Sequence, residues 1–270
     1  MALSAQALPA LRGGLLALLA AALFGVSTPL VQQFGIGLGA FSTAALLYAG
    51  AAAVGLLSRQ RIEREARLQR SDLPRLLAMA GFGAVVGPVA LAWGLQHTSG
   101  TSASLMLTLE ALFTAILAWR LYRETMDGRV WTAMALLLAG GMVLVLDQGR
   151  TGGAQLWGLL AVLLATAAWG VDNTLSRALA ERDPGQVVLA KAVIGAGATT
   201  AMAVAFGESL PAPGSALALL AIGASGYGLS LRFYLLAQRA FGAARTGSVF
   251  AFSDRSAPWS TAPTELYVNA

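Results

Sequence analysis

The sequence predicts an all-α polytopic membrane protein, an inverted repeat of five-helix units whose second unit is incomplete, with about eight full spans and a partial ninth. Three observations lead there. Of 270 residues, 57% are hydrophobic and 11% charged, whereas soluble domains carry roughly 25% charged residues. The charges sit in islands: residues 13–58 hold no Asp, Glu, Lys or Arg, and residues 76–119 hold Glu110 alone. A span needs about 20 apolar residues, so each stretch holds two. Finally, LLAAALFGVSTPL (18–30) returns as LLATAAWGVDNTL (163–175), 145 residues later.

Cut at polar or glycine-rich breaks, the apolar runs give spans near 12–31, 40–58, 75–96, 101–120, 129–147, 156–176, 187–206 and 213–236. The first run is longer than the roughly 7–15 residues of a signal-peptide core and leads directly into another, so it reads as a retained span. GIGLG (35–39), between spans one and two, lacks a preceding strand and a third glycine, which makes it a tight turn and no nucleotide loop. Spans two and three are joined by an arginine-rich segment containing Arg59, Arg61, Arg64, Arg67 and Arg70, in which EREAR suits a short amphipathic helix on anionic lipid. Arg123 and Arg129 join spans four and five, and Arg182 joins spans six and seven, with Arg177 and Lys191 flanking. The alternate connections carry only Arg150. The positive-inside rule then places the arginine-rich connections and the amino terminus in the cytoplasm, as expected of a multi-pass protein of the inner membrane.

An odd number of spans per repeat turns the second copy upside down, and the arginine pattern demands the same inversion. A weaker match, Gln96 and Gly100 with Gln238 and Gly242, adds to it. The expected organisation is a first five-helix repeat over 1–150, an incomplete second repeat over 151–252 and a polar tail over 253–270. Inverted repeats of this kind characterise secondary transporters, whose substrate site lies near the midplane between the halves.

The segments LFGVSTPL, SLMLTLEALFTAILAWRLYRET (104–125), WGVDNTLSR (169–177) and YLLAQRAFGAARTGSVFAF (234–252) resemble, in order and spacing, EamA-type transporters of the drug/metabolite transporter superfamily. That resemblance implies ten spans in two five-span repeats. After Phe252 the chain reads SDRSAPWSTAPTELYVNA, which cannot span a bilayer, and residues 243–252 supply only about 15 Å of helix. Set against the family, spans nine and ten are missing, as in a truncated or frameshifted reading frame by preference, or in a chain with a natural divergent tail.

Composition narrows the chemistry. With no cysteine, disulfides, thiolate metal sites and cysteine nucleophiles are excluded; the single histidine argues against a His-cluster metal centre, and no cofactor is expected. A net charge of +5 fits a topology signal better than a nucleic-acid partner. No nucleophile with a base, metal cluster or cofactor loop supports an enzyme.

Glu110 is the deepest acid, about 15 Å along a helix from Arg120. A charge there costs about 2.5–3.5 kcal/mol and faces protein or water; Glu110 is either a proton-coupling or substrate-binding carboxylate, or a structural partner for another helix. Asp172 and Asn173, about 6 Å from the cytoplasmic end of span six, suit a polar cavity lining near interfacial water, with Ser27 the repeat mate of Asp172, or a hydrogen bond between helices. Arg232 either snorkels to the cytoplasmic surface or neutralises Glu110 or an anionic substrate. Pro29, and Pro88, which frees the carbonyl of Ala84, predict helix breaks, matched in the second half by Gly170 and by Gly226 with Gly228. Gly83 and Gly87 form a close-packing face. Trp93, Trp119, Trp131 and Trp157 fall near span ends as interfacial anchors, and His97 is an interfacial residue.

The expectation is a secondary transporter, an exporter by preference, that moves small metabolites, amino acids or drugs by alternating access. Its partners are the bilayer, a small-molecule substrate and a second copy of itself. The alternative is a non-transporting remnant or membrane assembly partner.

Overall fold

A computed structural model describes residues 7–58, 66–124, 126, 128–151, 153–241 and 246. The expected ninth partial span, the polar tail, Arg59, Arg61, Arg64 and Gly242 lie outside these residues. Within them are eight helical units long and apolar enough to cross a membrane, and no strand beyond an isolated bridge between Ala66 and Arg182. The helices are α1 (Ala7–Phe34), α2 (Ala40–Leu57), α3 (Leu73–Ala80), α4 (Gly87–His97), α5 (Gly100–Leu107), α6 (Glu110–Tyr122), α7 (Gly128–Thr151), α8 (Gly153–Arg177), α9 (Pro184–Ala205), α10 (Pro213–Ile222) and α11 (Ser230–Phe241). Each predicted span has its counterpart.

Local chemistry starts these helices where the sequence changes character. Asp183 caps α9 by accepting from the Gly185 N–H at 2.9 Å, with Pro184 in the first turn, where its missing donor costs nothing. Ser99 does the same for α5 through Ser102. The GIGLG segment is the expected turn, and Gly37 adopts φ +76°, a backbone state open to glycine.

Three spans are interrupted. In the third, a π-helical segment, Gly81–Val86, joins α3 to α4. In the eighth, a second one, Gly223–Leu229, joins α10 to α11. Their starts lie 142 residues apart. In the fourth, Thr108 and Leu109 form a turn between α5 and α6, so Glu110 opens a new helix. The expected breaks at Pro29 and Gly170 do not occur: α1 runs through Pro29, whose single missing donor is tolerated in a membrane helix, and α8 runs through Gly170, which keeps its N–H and costs the helix only some propensity. The EREAR helix is also corrected where it is described, since Ala66 and Arg67 are not helical.

The core forms where α2 packs on α9, α4 on α8, and α1 on α11. Contact is backbone-close. A Cβ on Gly223 would strike the Leu47 carbonyl, and one on Gly50 would strike that of Leu220, so α2 crosses the junction of α10 and its π segment through paired glycines. Helix α7 lies at the periphery, with Leu136, Val143 and Leu146 more than 60% exposed as a lipid-facing surface. Trp93, Trp119, Trp131 and Trp157 are exposed too, and His97 stacks on Trp93 at 4.0 Å.

Both ends are tied. At one end, the Asp183 N–H donates to the Ala66 carbonyl at 2.7 Å, Arg182 pairs with Asp72 at 2.9 Å, and Arg239 donates to the carbonyls of Ala180 and Arg182. At the other, the Glu208 carboxylate accepts from the N–H groups of Phe41 and Ser42 at the start of α2, at 3.1 and 2.6 Å.

Candidate functional site

Between the tied ends lies a cavity of about 50 Å³. Its polar lining comes from Glu110 on α6, Asp172 and Asn173 on α8, Lys191 on α9 and Ser230 on α11. Its aromatic lining is Phe24, Tyr48, Trp169, Tyr227 and Tyr234. Six spans therefore meet at one small space.

The polar groups form chains between helices. Lys191 Nζ pairs with Asp172 Oδ2, and both side chains are under 5% exposed. Asn173 Nδ2 donates to Glu110 Oε1, and Gln238 Nε2 donates to the Asn173 carbonyl at 2.8 Å. Glu110 and Asn173 thus join α6 to α8, and Gln238 joins α11 to α8. The break before Glu110 has a physical use, since a carboxylate in the first turn of a helix meets unpaired N–H groups and the positive end of the dipole. Asp172 Oδ1 and the Tyr227 hydroxyl are buried without hydrogen-bond partners.

Four of the five rings pack against one another at the space. Phe24 meets Trp169 edge-on at 5.1 Å and Tyr227 at 5.6 Å, and Tyr48 meets Tyr227 at 5.6 Å. The first π segment fixes two of them. The Gly87 N–H bonds back five residues to Phe82, a register in which the next donor, Pro88, would serve the Gly83 carbonyl but has no N–H. The freed acceptor is therefore Gly83 and not Ala84, because the helix has changed register. It is taken by Trp169 Nε1 at 3.1 Å and by the Tyr48 hydroxyl. The Gly83 and Gly87 face is the expected close-packing face: a Cβ at Gly83 would strike the Asp172 carboxylate, and one at Gly87 would lie 2.6 Å from Trp169 Nε1.

The structure brings together Glu110, Asp172 and Asn173 from the expected site residues and leaves four outside the lining. Asp172 is 2% exposed and paired, so it does not sit in interfacial water; the chain beyond it packs inward instead of ending at a surface. Ser27 is buried, donates to the Phe24 carbonyl at 2.6 Å and packs against Gly226. Pro29 is half-buried within α1, and Pro88 is buried at the start of α4, acting through Gly83. Arg232 is half-buried with Nε lacking a partner, near the cavity but not among its lining.

Sequence reasoning missed Lys191, treated as a flanking charge. The available signal was its place inside an apolar run, seven residues past Pro184, where an ammonium needs an acid from another helix. It also missed the rings, because aromatic residues in apolar spans carry no pattern that separates cavity wall from packing. Among the described residues no cluster of His, Asp and Glu suits a metal.

Residues 11–146 match the EamA-like transporter family. A protein of Methanothermobacter thermautotrophicus described as an uncharacterized transporter is 28% identical over 197 residues, 71% of this chain. The chain spans 57% of that relative's length. A solved crystal structure shares the fold with a TM-score of 0.65 at 19% identity, over 91% of this chain and 84% of the other.

Proposed function

The chain belongs to the EamA-like transporter family, and from that premise we propose that it is a secondary transporter, by preference an exporter, of a small metabolite, amino acid or drug. The observation that carries this reading is the central cavity, because polar and charged groups are expensive inside a membrane and, where they line a cavity, mark the path of a solute or its coupling ion. The two tied ends support alternating access as the mechanism. Release of Asp72 from Arg182 opens one end and release of Glu208 from α2 opens the other, with the cavity as the shared pivot.

Two further points support the architecture. The π segments, 142 residues apart, have the spacing of the weaker sequence match, and the packing of α1 on α11 and α4 on α8 has the crosswise form expected of inverted halves over 1–150 and 151–252. The amino terminus and the connections bearing Arg67, Arg70 and Arg182 face the cytoplasm of an inner membrane by their charge. Tags beside Arg64 and Arg182 are then both reached from the inner side, and opposite placement rejects the topology.

The functional test is uptake by the purified chain in liposomes, offered amino acids and cationic dyes with and without a proton gradient. Saturable, solute-dependent uptake is the expected result. No uptake of any solute, beside activity from a ten-span relative, favours the non-transporting reading.

A further inference from the structure

The chemistry of the lining narrows the solute class, an inference that rests on the cavity being a solute site. Counted as formal charges, Glu110 and Asp172 contribute two carboxylates against the single ammonium of Lys191. Lys191 is bound to Asp172 Oδ2, which leaves Asp172 Oδ1 buried with no donor to satisfy it. A buried acceptor of this kind favours a ligand that brings an N–H. Around it stand the rings of Phe24, Tyr48, Trp169 and Tyr227, whose faces attract cations and bury carbon. A bare metal ion would want six or more oxygens, and the lining offers aromatic carbon instead.

We propose that the cavity takes a small protonated amine, its ammonium in the roughly 50 Å³ space between Glu110 and Asp172 and its carbon substituents along the four rings as that space widens to admit them. The added charge balances the second carboxylate, and an N–H reaches the vacant oxygen of Asp172. A carboxylate on the ligand finds no free cation in the lining, because Lys191 is held by Asp172, and it meets Glu110 instead. Anions and zwitterions are therefore disfavoured.

The test measures binding to the purified full-length chain by equilibrium dialysis for benzylamine, benzyltrimethylammonium, phenylglycine, benzyl alcohol and benzoate. These share a ring and differ in charge and N–H content. Benzylamine should bind about tenfold or more tightly than benzyl alcohol or benzoate. The trimethylated cation, which keeps the charge without an N–H, should fall several-fold behind it, and phenylglycine should fall further. Glu110→Gln should weaken benzylamine about tenfold, while Tyr227→Phe, which keeps the ring, should change it less than about threefold. Equal or tighter binding of benzoate, phenylglycine or benzyl alcohol overturns the proposal, as does unchanged benzylamine binding in Glu110→Gln; the order measured on the unmodified chain decides even where that variant fails to fold. Uptake in liposomes separates the two readings. Transport of an anion without amine binding rejects the amine and keeps the carrier, and amine binding without transport of any solute keeps the amine and rejects the carrier.

Discussion

Two acid–base pairs in this molecule have the same chemistry and opposite surroundings. Lys191 and Asp172 meet between α9 and α8 with side chains 3% and 4% exposed, whereas Arg182 and Asp72 meet at the end of the bundle with 24% and 7%. The difference lies in what remains when one partner is lost. At the end, Arg182 is about a quarter exposed and turns to water once Asp72 loses its charge, which brings that loss near the solvent-exposed limit of about 0–1 kcal/mol. In the interior no water replaces the partner, and breaking a buried pair costs about 3–5 kcal/mol. The outer pair is thus the easier of the two to separate, as the proposed alternating access requires, and the inner pair the harder.

Substitutions sharpen or break this comparison. The largest expected effect is Lys191→Met, which strands Asp172 and should lower stability by about 3–5 kcal/mol in detergent unfolding. Adding Asp172→Asn should recover most of that loss. If Lys191→Met unfolds like the unmodified chain, the interior pair is no more than an end pair. Next comes Glu110→Gln, which keeps an oxygen for the Asn173 amide and so spares the fold, but should cut uptake about tenfold and flatten its pH dependence. An unchanged pH profile removes Glu110 from coupling. Trp169→Phe removes one of two donors to the Gly83 carbonyl while Tyr48 remains, for a loss near 1 kcal/mol measured by thermal unfolding. The smallest effect belongs to Asp72→Asn, about 0–1 kcal/mol and fading further as salt is raised. A loss above that of Trp169→Phe would show that the end of the bundle is as dry as its centre.

Arg232 shows a limit of reading charges along a chain. Depth along a helix is countable from sequence, so Glu110 is expected to turn away from lipid, and the structure buries it. Which cation meets which acid depends on helix rotation and crossing, and Asp172 finds Lys191, nineteen residues away on the next span. The same limit applies to Pro88. Its missing donor was legible, yet the carbonyl it frees shifts from Ala84 to Gly83 because the helix changes register at Gly81–Val86. The turn at Thr108 and Leu109 left no comparable mark, since SLMLTLEALF reads as one continuous apolar run.

The sequence alone determined that the chain crosses a membrane, about where its eight described spans begin and end, and to which family it belongs. These follow from apolar run length, charge spacing and motif order, which are one-dimensional properties. Only the tertiary structure decided that Lys191 neutralises Asp172, that Asn173 holds Glu110 sixty-three residues away, and that four rings close around them. In lipid every buried polar group seeks a partner on another helix, and that choice is made by three-dimensional packing at glycine-sized contacts.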